Sequence, residues 1–498
     1  MLTLHFKRVF LFRDGHFGVK TYSVLSIFIP LFVRALPEVF MGSYLVGFDT
    51  IAYYVPTVWR WVNHSFSFWE FFGSAPLIYF LTYVSALAGV PLTVSLKILP
   101  PVLYGVLSFA IFSFAVKSLE WPCRRGLFVS MFSTLYFVGL RVSWDMLRCV
   151  LGLIFLFFLL RFLHECLRGF RWRLFGVLSV LGVFVVLAHQ LVSVILFVIV
   201  SVLVLENFMK GLYSFAFKLF AACVPAFVLF IVIVYADYVV LPGYNGDFVV
   251  MGLSDWLNLM GYSSTVDMTV HTICFLFFCY LPILPLIFMG ARRFRGLEFK
   301  VWVAWCFVGM LLPFFSPFAP LGYRWVLLLN FPFAFFAIEG FRKINRRFFK
   351  GFFAVFLSLL SFSFVFLPAE MAFPYFNFFL QYFPSSMLQN SVSLRDCEDV
   401  VKALKWVDDN VGYNSVLMVH DAFYGWALLY TGKVEILRYG YADPESFASN
   451  LTGKGYRRLY LVWWIPGLGW HGQACLPSSF TMVYRAGRMA VYEFKASL

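Results

Sequence analysis

Five ionisable side chains stand out in a chain that is apolar over long stretches: Asp49, Arg141, Asp145, His189 and Arg324. Charges near bilayer depth are costly, so each calls for a reason. Asp49 lies in Gly47-Phe48-Asp49-Thr50, eight residues past the first apolar run. A carboxylate at headgroup level can act as general base toward an acceptor hydroxyl, or hold a metal ion. The structural alternative is an N-cap for the following segment. Arg141 and Asp145 lie four apart in the short turn Arg141-Val142-Ser143-Trp144-Asp145. They either close the turn as an ion pair, or the arginine binds a phosphate that the aspartate orients. His189 and Gln190 interrupt two wholly apolar runs, as lining of a polar site or as structure. Arg324 follows Pro317, Pro320 and Gly322. It cannot lose its charge, so it either snorkels to headgroups or grips an anionic ligand. All five fall at corresponding ends of apolar runs. A site there suits a lipid-linked substrate, whose phosphate sits at headgroup level and whose chain stays in the bilayer.

The elements that must position these residues follow from composition. Of 498 residues, 62% are apolar, 21% aromatic and only 13% charged, and the mean hydropathy is +0.83. A soluble domain carries about 25% charged residues. A purely soluble enzyme is excluded, and disorder with it. The formal net charge is +14. From Glu370 to Leu498 eleven basic residues balance eleven acidic ones, so the whole excess lies in the first 369 residues, in short loops between apolar runs. That distribution marks membrane topology and not a nucleic-acid partner. The nine cysteines include no CxxC pair, which disfavours a zinc or haem site. Cys397 and Cys475 are two in the soluble tail that could pair in an oxidising space.

Eleven apolar runs are long enough to span: 21–41, 99–116, 127–140, 150–163, 174–187, 191–205, 219–235, 273–289, 301–315, 326–338 and 352–367. Arg34 and Glu38 sit near the far end of the first. Lys7, Arg8, Arg13 and Lys20 make the N-terminal stretch too basic for a removable signal peptide. The stretch 75–92, with Pro76, Gly89 and Pro91, decides the topology. If it stays at the interface, 22 basic residues fall on one side and five on the other. The N-terminus is then cytoplasmic and the C-terminal tail extracytoplasmic. Large external segments occupy 42–94 and 236–270. In the first, 49–72 mixes Tyr53, Tyr54, Trp59, Trp61, Phe66, Phe68 and Trp69 with Arg60, His64 and Glu70, as expected of a helix lying along the headgroups.

The expected fold class is therefore an all-α polytopic membrane domain over 1–368, a linker over 369–394 and a small extracytoplasmic α/β domain over 395–498. In that tail, 397–410 reads as a helix, 415–419 as a strand, 444–451 as a short helix and 459–464 as a strand. Residues 480–484 and 489–494, joined by Ala486-Gly487-Arg488, read as a hairpin. The tail shows no phosphate loop and no nucleophile elbow, and reads as a binding or docking domain. The sequons Asn63-His64-Ser65 and Asn450-Leu451-Thr452 both fall on the expected outside.

Over 21–347 this organisation resembles the GT-C membrane glycosyltransferases, the superfamily of protein O-mannosyltransferases, aminoarabinose transferases and oligosaccharyltransferases, with an archaeal style. The residues that carry the resemblance are Gly47-Phe48-Asp49-Thr50-Ile51-Ala52-Tyr53-Tyr54 in the first external loop, Ala75-Pro76-Leu77-Ile78-Tyr79 as a proline-containing interfacial piece, and Arg141 to Asp145 in a second acidic loop. The resemblance implies sugar transfer from a polyprenyl-phosphate-linked donor, with Asp49 as the catalytic acidic residue and Asp145 as the second acidic position. Two features depart from it. Trp463-Trp464 is followed by Ile465-Pro466-Gly467 where the oligosaccharyltransferase signature has Asp-Tyr-Gly, and the second loop has one aspartate, not an Asp-x-Asp pair. Both argue against transfer of an oligosaccharide block to asparagine.

The expectation is an inverting glycosyltransferase of the cell membrane. Asp49 and Asp145 are its catalytic candidates. Arg141, His189, Arg324, Tyr53 and Tyr54 are its substrate-binding candidates. Its acceptor is a lipid, a glycan or a protein. The sequence establishes no cofactor, and a divalent metal ion is the one the carboxylates would admit. A transporter or flippase for a lipid-linked saccharide would show inverted repeats and interrupted mid-membrane helices, and none is visible. A non-catalytic scaffold would leave Asp49 and Arg324 pointing away from any shared cavity.

Overall fold

Inside a bilayer the backbone has no water to bond, so apolar runs of this length fold as helices. A computed structural model of the chain describes residues 18–73, 75–169, 171–240, 262–294, 297–314, 322–380, 382–412, 415–440, 443–469 and 476–495. Among these residues, eight helices are long and apolar enough to cross a membrane. They are Val19–Phe40, Leu92–Lys117, Leu147–Leu167, Gln190–Met209, Tyr213–Tyr235, Thr265–Ala291, Gly322–Lys343 and Arg347–Phe366. The pair Cys123–Leu135 and Phe137–Asp145, bent by 59°, is long and apolar enough only when taken together, as a broken span or a re-entrant loop. The shorter apolar helices Trp172–Ala188 and Phe299–Phe314 coincide with the two remaining expected runs. Leu77–Leu87 has 11 residues. At about 1.5 Å per residue it falls short of a bilayer core of about 30 Å.

The bend at Tyr136 matters because it aims the second acidic segment. Tyr136 takes extended dihedrals (φ −65°, ψ 140°) between the two helices. Its ring is buried, and its hydroxyl donates to the Cys279 carbonyl at 2.7 Å. Residues 141–145 are not the turn expected from sequence. They are the last helical residues of Phe137–Asp145, all buried. An aspartate at a helix C-terminus opposes the helix dipole, and Arg141, one turn back, compensates by pairing with it.

The first external segment also departs from expectation. It does not lie as one helix along the headgroups. A π turn over Thr50–Tyr54 runs into the helix Val55–Asn63, and a separate short helix covers Phe68–Phe72. Pro56, just inside the helix start, has no N–H to give the carbonyl four residues back, which favours the wider turn. Trp61 is buried, stacked on Phe66 with ring centroids 4.6 Å apart and on Phe71 at 5.5 Å. Of the second external segment, residues 241–261 lie outside the described residues, as does Cys475. Ala236–Val240 is a second π turn, and Ser264 caps the helix Thr265–Tyr280.

Residues 382–390 form a buried strap between the last span and the C-terminal domain. Tyr382, Phe383, Met387 and Leu388 are nearly inaccessible. The C-terminal domain carries a five-stranded sheet, β1 (Ser415–His420), β2 (Glu435–Gly440), β3 (Arg458–Trp464), β4 (Phe480–Ala486) and β5 (Met489–Phe494), ordered β2-β1-β3-β5-β4. β1 is parallel to both neighbours, and β5 is antiparallel to β3 and β4. The helices Leu394–Asn410, Asp421–Tyr430 and Pro444–Gly453 complete it. Asp421–Tyr430 and β2 were not foreseen. The aromatic run 423–430 has no clean period, and β2 is half exposed, with residues of mixed polarity.

The domain sits on the first external segment. Gly425 packs so closely on the Ile51 carbonyl that a Cβ at this position would overlap it. Ile51 and Gly425 are both fully covered. The aromatic face of residues 50–61 is thus covered largely by protein.

Candidate functional site

The residues on the first and second acidic segments converge. Asp49 is 5% exposed, Asp145 3%, Arg141 4%, Arg148 7% and Arg324 7%. Arg324, on the short helix Gly322–Leu328, donates from Nη2 to Asp49 Oδ2 at 3.2 Å. Asp49 itself precedes the π turn and makes no side-chain cap. The capping role open to it in the sequence is therefore not the one it takes. Arg141 pairs with Asp145 and donates through Nη2 to the Tyr382 carbonyl at 3.2 Å. Its guanidinium also lies 4.9 Å from the Trp144 ring centroid.

Backbone geometry holds the two acidic segments together. Gly47 has φ +95°, a region that side chains other than glycine's rarely adopt. A Cβ there would also overlap the Trp144 carbonyl. The Gln389 carbonyl accepts from Gly47 N–H at 3.1 Å and from the Trp144 indole at 3.0 Å. Asn390 donates to the Leu45 carbonyl at 2.8 Å. Tyr54 donates to the Asp145 carbonyl at 2.8 Å. One strap and one tyrosine thereby fix Asp49 relative to Asp145.

Electrostatics follow from this packing. Burial, and next the Asp145 carboxylate, push Asp49 up to about 7; Arg324, Arg148 and Arg141 oppose that rise. Two carboxylates facing three guanidiniums leave the cluster net positive, as an anionic ligand would require. Thr50 Oγ1 and Arg141 Nε are buried without hydrogen-bond partners. Buried polar atoms are ordinarily satisfied, so these two atoms keep unused hydrogen-bonding capacity beside the cluster.

The other sequence candidates divide. Tyr54 belongs to the cluster but acts through its bond to Asp145, and its ring meets Tyr79 at 5.6 Å. Tyr53 packs its ring on Phe48, with centroids 6.5 Å apart. The His189 ring bonds Cys149 Sγ from Nε2 at 3.2 Å, and its Nδ1 accepts from Leu191 N–H at 3.1 Å, a cap between two spans. Gln190 reaches Asp237 at 3.4 Å. Sequence reading missed Arg148 as a site residue, since it looked like one more loop charge. It lies on the helix that follows Asp145, 5.5 Å from the Tyr79 ring. Tyr323, Tyr382 and Tyr262 were missed as well. Tyr323 and Tyr382 have ring centroids 5.4 Å apart, and Tyr382 and Tyr262 share a hydrogen bond between their hydroxyls. Position 323, next to Arg324, was the one available signal.

Arg34 and Glu38 form a supporting network. Both are buried, paired at 2.9 Å, and Arg34 Nε donates to the Ser143 carbonyl at 3.2 Å. Lys97 Nζ donates to the Glu38 carbonyl at 2.7 Å. This network grips the helix end that carries Arg141 and Asp145.

Each carboxylate of the cluster is already matched to a guanidinium, and among the described residues no three His, Cys, Asp or Glu side chains form a metal-binding group.

No protein-family model matches the chain. No curated protein matches it in sequence. Solved structures do match in fold. The crystal structure of ArnT from Cupriavidus metallidurans bound to undecaprenyl phosphate superposes with a TM-score of 0.56 at 13% identity, covering 96% of this chain and 99% of that one. The apo state of the same protein gives a TM-score of 0.52 at 14% identity, over 95% and 98%. The likeness therefore runs through both the membrane part and the C-terminal domain, and the chain shares the fold of ArnT.

Proposed function

We propose that the protein transfers a sugar from a polyprenyl-phosphate-linked donor to an acceptor hydroxyl at the extracytoplasmic membrane face. The observation that carries this reading is the buried Asp49–Arg324 pair, flanked by Asp145, Arg141 and Arg148, in the fold of a protein whose structure holds undecaprenyl phosphate.

Asp49 is the general base. A base poised near the working pH is efficient, and Asp49 is held at about 7. The acceptor oxygen attacks the anomeric carbon, its proton passes to the Asp49 carboxylate, and the bond from the anomeric carbon to the phosphate oxygen breaks. The electron pair leaves with the lipid phosphate, and configuration inverts. Arg324, Arg141 and Arg148 offset the charge that develops on the departing phosphate, where fixed donors in a dry site are most effective. Asp145 orients Arg141 and raises the basicity of Asp49. A metal ion has no step in this scheme.

An apolar cavity of about 410 Å³ between spans supports a lipid donor. Its lining includes Val33, Tyr136, Leu140, Ile338 and Phe366. Leu140 belongs to the helix that ends in Arg141 and Asp145, so one helix carries both part of this apolar lining and part of the charged cluster. Positive-inside asymmetry orients the N-terminus to the cytoplasm and the C-terminal domain outward.

The test is genetic and chemical. Removing the protein should cause one polyprenyl-phosphate-linked sugar to accumulate, and wild type, but not Asp49→Asn, should clear it. Accumulation of no such lipid, or clearance by Asp49→Asn, sinks the reading.

A further inference from the structure

A second cavity, of about 420 Å³, lies away from the charged cluster, where the stretch beyond the last span meets the C-terminal domain. Its size falls within the range of small-molecule sites, about 300–1,000 Å³. Glu370, Asn377, Gln389, Ser393 and Arg395 contribute its polar lining. We propose that this cleft binds a neutral saccharide portion of the acceptor; the inference rests on the transfer reading above.

Four features support it. Arg395 Nε lies 2.9 Å from Glu370 Oε1, so the single cation and anion of this lining cancel and the cleft selects no charge. Ser393, which begins the helix Leu394–Asn410, makes no side-chain cap, and its Oγ is buried without a hydrogen-bond partner. Ser393 borders the cleft, and its hydroxyl, once turned about χ1, can both donate to and accept from a sugar hydroxyl. Leu380 and Pro384 add apolar surface, suited to the C–H face of a sugar ring. Lastly, Gln389 contributes to this lining while its carbonyl holds Gly47 and Trp144, the neighbours of the two acidic residues. A saccharide seated here is therefore registered against both catalytic segments through one backbone group.

The cleft lies C-terminal to the last span and borders the C-terminal domain. That position fits an acceptor arriving from water better than a donor anchored in the bilayer. It also gives the domain a purpose that a purely lipid-facing enzyme would not need.

The experiment measures binding, not turnover. Full-length protein in lipid nanodiscs is titrated with neutral di- and trisaccharides, maltotriose, mannobiose and lactose among them, with saturation-transfer NMR as the readout. At least one should bind. Arg395→Ala and Asn377→Ala should each weaken it by about tenfold, while thermal melting shows both variants folded. Both side chains are exposed, so neither change opens the core. Sugar phosphates of the same size should bind no better. Failure of every neutral sugar to bind, binding equal in both variants and wild type, or clear preference for the phosphorylated sugars overturns the proposal. None of these outcomes touches the Asp49 clearance test, so the two readings fail separately.

Discussion

The hydroxyl of Tyr54 donates to the backbone carbonyl of Asp145 at 2.8 Å, joining two segments 91 residues apart. Tyr54 is 2% exposed, so no water replaces the bond once it is lost. Tyr54→Phe should cost about 1–3 kcal/mol through the unsatisfied buried carbonyl, and should slow transfer by loosening Asp145. Thermal melting and initial rates check both. Unchanged rates would mean that Asp145 is held by other contacts.

The Asp49–Arg324 pair predicts a pH signature. With Asp49 as base at about 7, kcat/KM should rise through neutral pH and then level off. Asp145→Asn removes a neighbouring negative charge and should move the rise to lower pH. Arg324→Gln removes a positive one and should move it to higher pH while slowing transfer. Asp49→Asn should lose about 100- to 10,000-fold. The same group sets a stability trend. Its folded value lies above the ordinary 3.8, so between about 4 and 7 the folded chain holds the extra proton and stability falls as pH rises. Asp49→Asn should flatten that fall. A rate profile that is identical in wild type and Asp145→Asn would remove the coupling between the two carboxylates.

Much of this site could be read from sequence because topology alone gathers the ends of spans. Asp49, Arg141, Asp145 and Arg324 needed only hydropathy and the side on which basic loops fall. The C-terminal sheet was legible where strands are apolar and bounded by turns, as in 459–464 and the hairpin around Gly487. What sequence hid were contacts with no local pattern. The Arg34–Glu38 pair resembles any polar span end until its bond to Ser143 is known. The strap around Gln389 acts through a backbone carbonyl, and a backbone group has no sequence signature. Helical residues 141–145 looked like a loop because buried charges mimic an exposed turn when their partner is unseen.

Gly47 should tolerate no side chain. Gly47→Ala forces a φ of +95° on a residue with a Cβ and drives that Cβ into the Trp144 carbonyl. The dihedral alone costs about 1–3 kcal/mol. Lower melting temperature and loss of transfer are expected together. Normal melting with normal activity would show that the two acidic segments pack more loosely than described.

The C-terminal domain should need its seat on the first external segment. Gly425→Ala places a methyl group against the Ile51 carbonyl, an overpacking cost of about 1–3 kcal/mol. Limited proteolysis should release the domain faster, and transfer should fall. If the fragment pattern matches wild type, the seat is not what holds the domain.

Orientation is checked by chemical labelling of intact cells. A cysteine placed at Lys402, exposed on the domain, should react with a membrane-impermeant maleimide. One placed at Trp172, exposed at the opposite end of the spans, should react only after lysis. The reverse pattern would place the charged cluster on the cytoplasmic side.

The Gln389 carbonyl has an implication for how such a chain could be recombined. Because it accepts from residues 47 and 144 at once, the membrane half and the outer half are not interchangeable cassettes. A chimera cut between residues 367 and 395 would inherit a strap shaped for a different pair of loops, and its two aspartates would lose their spacing even if each half folded well.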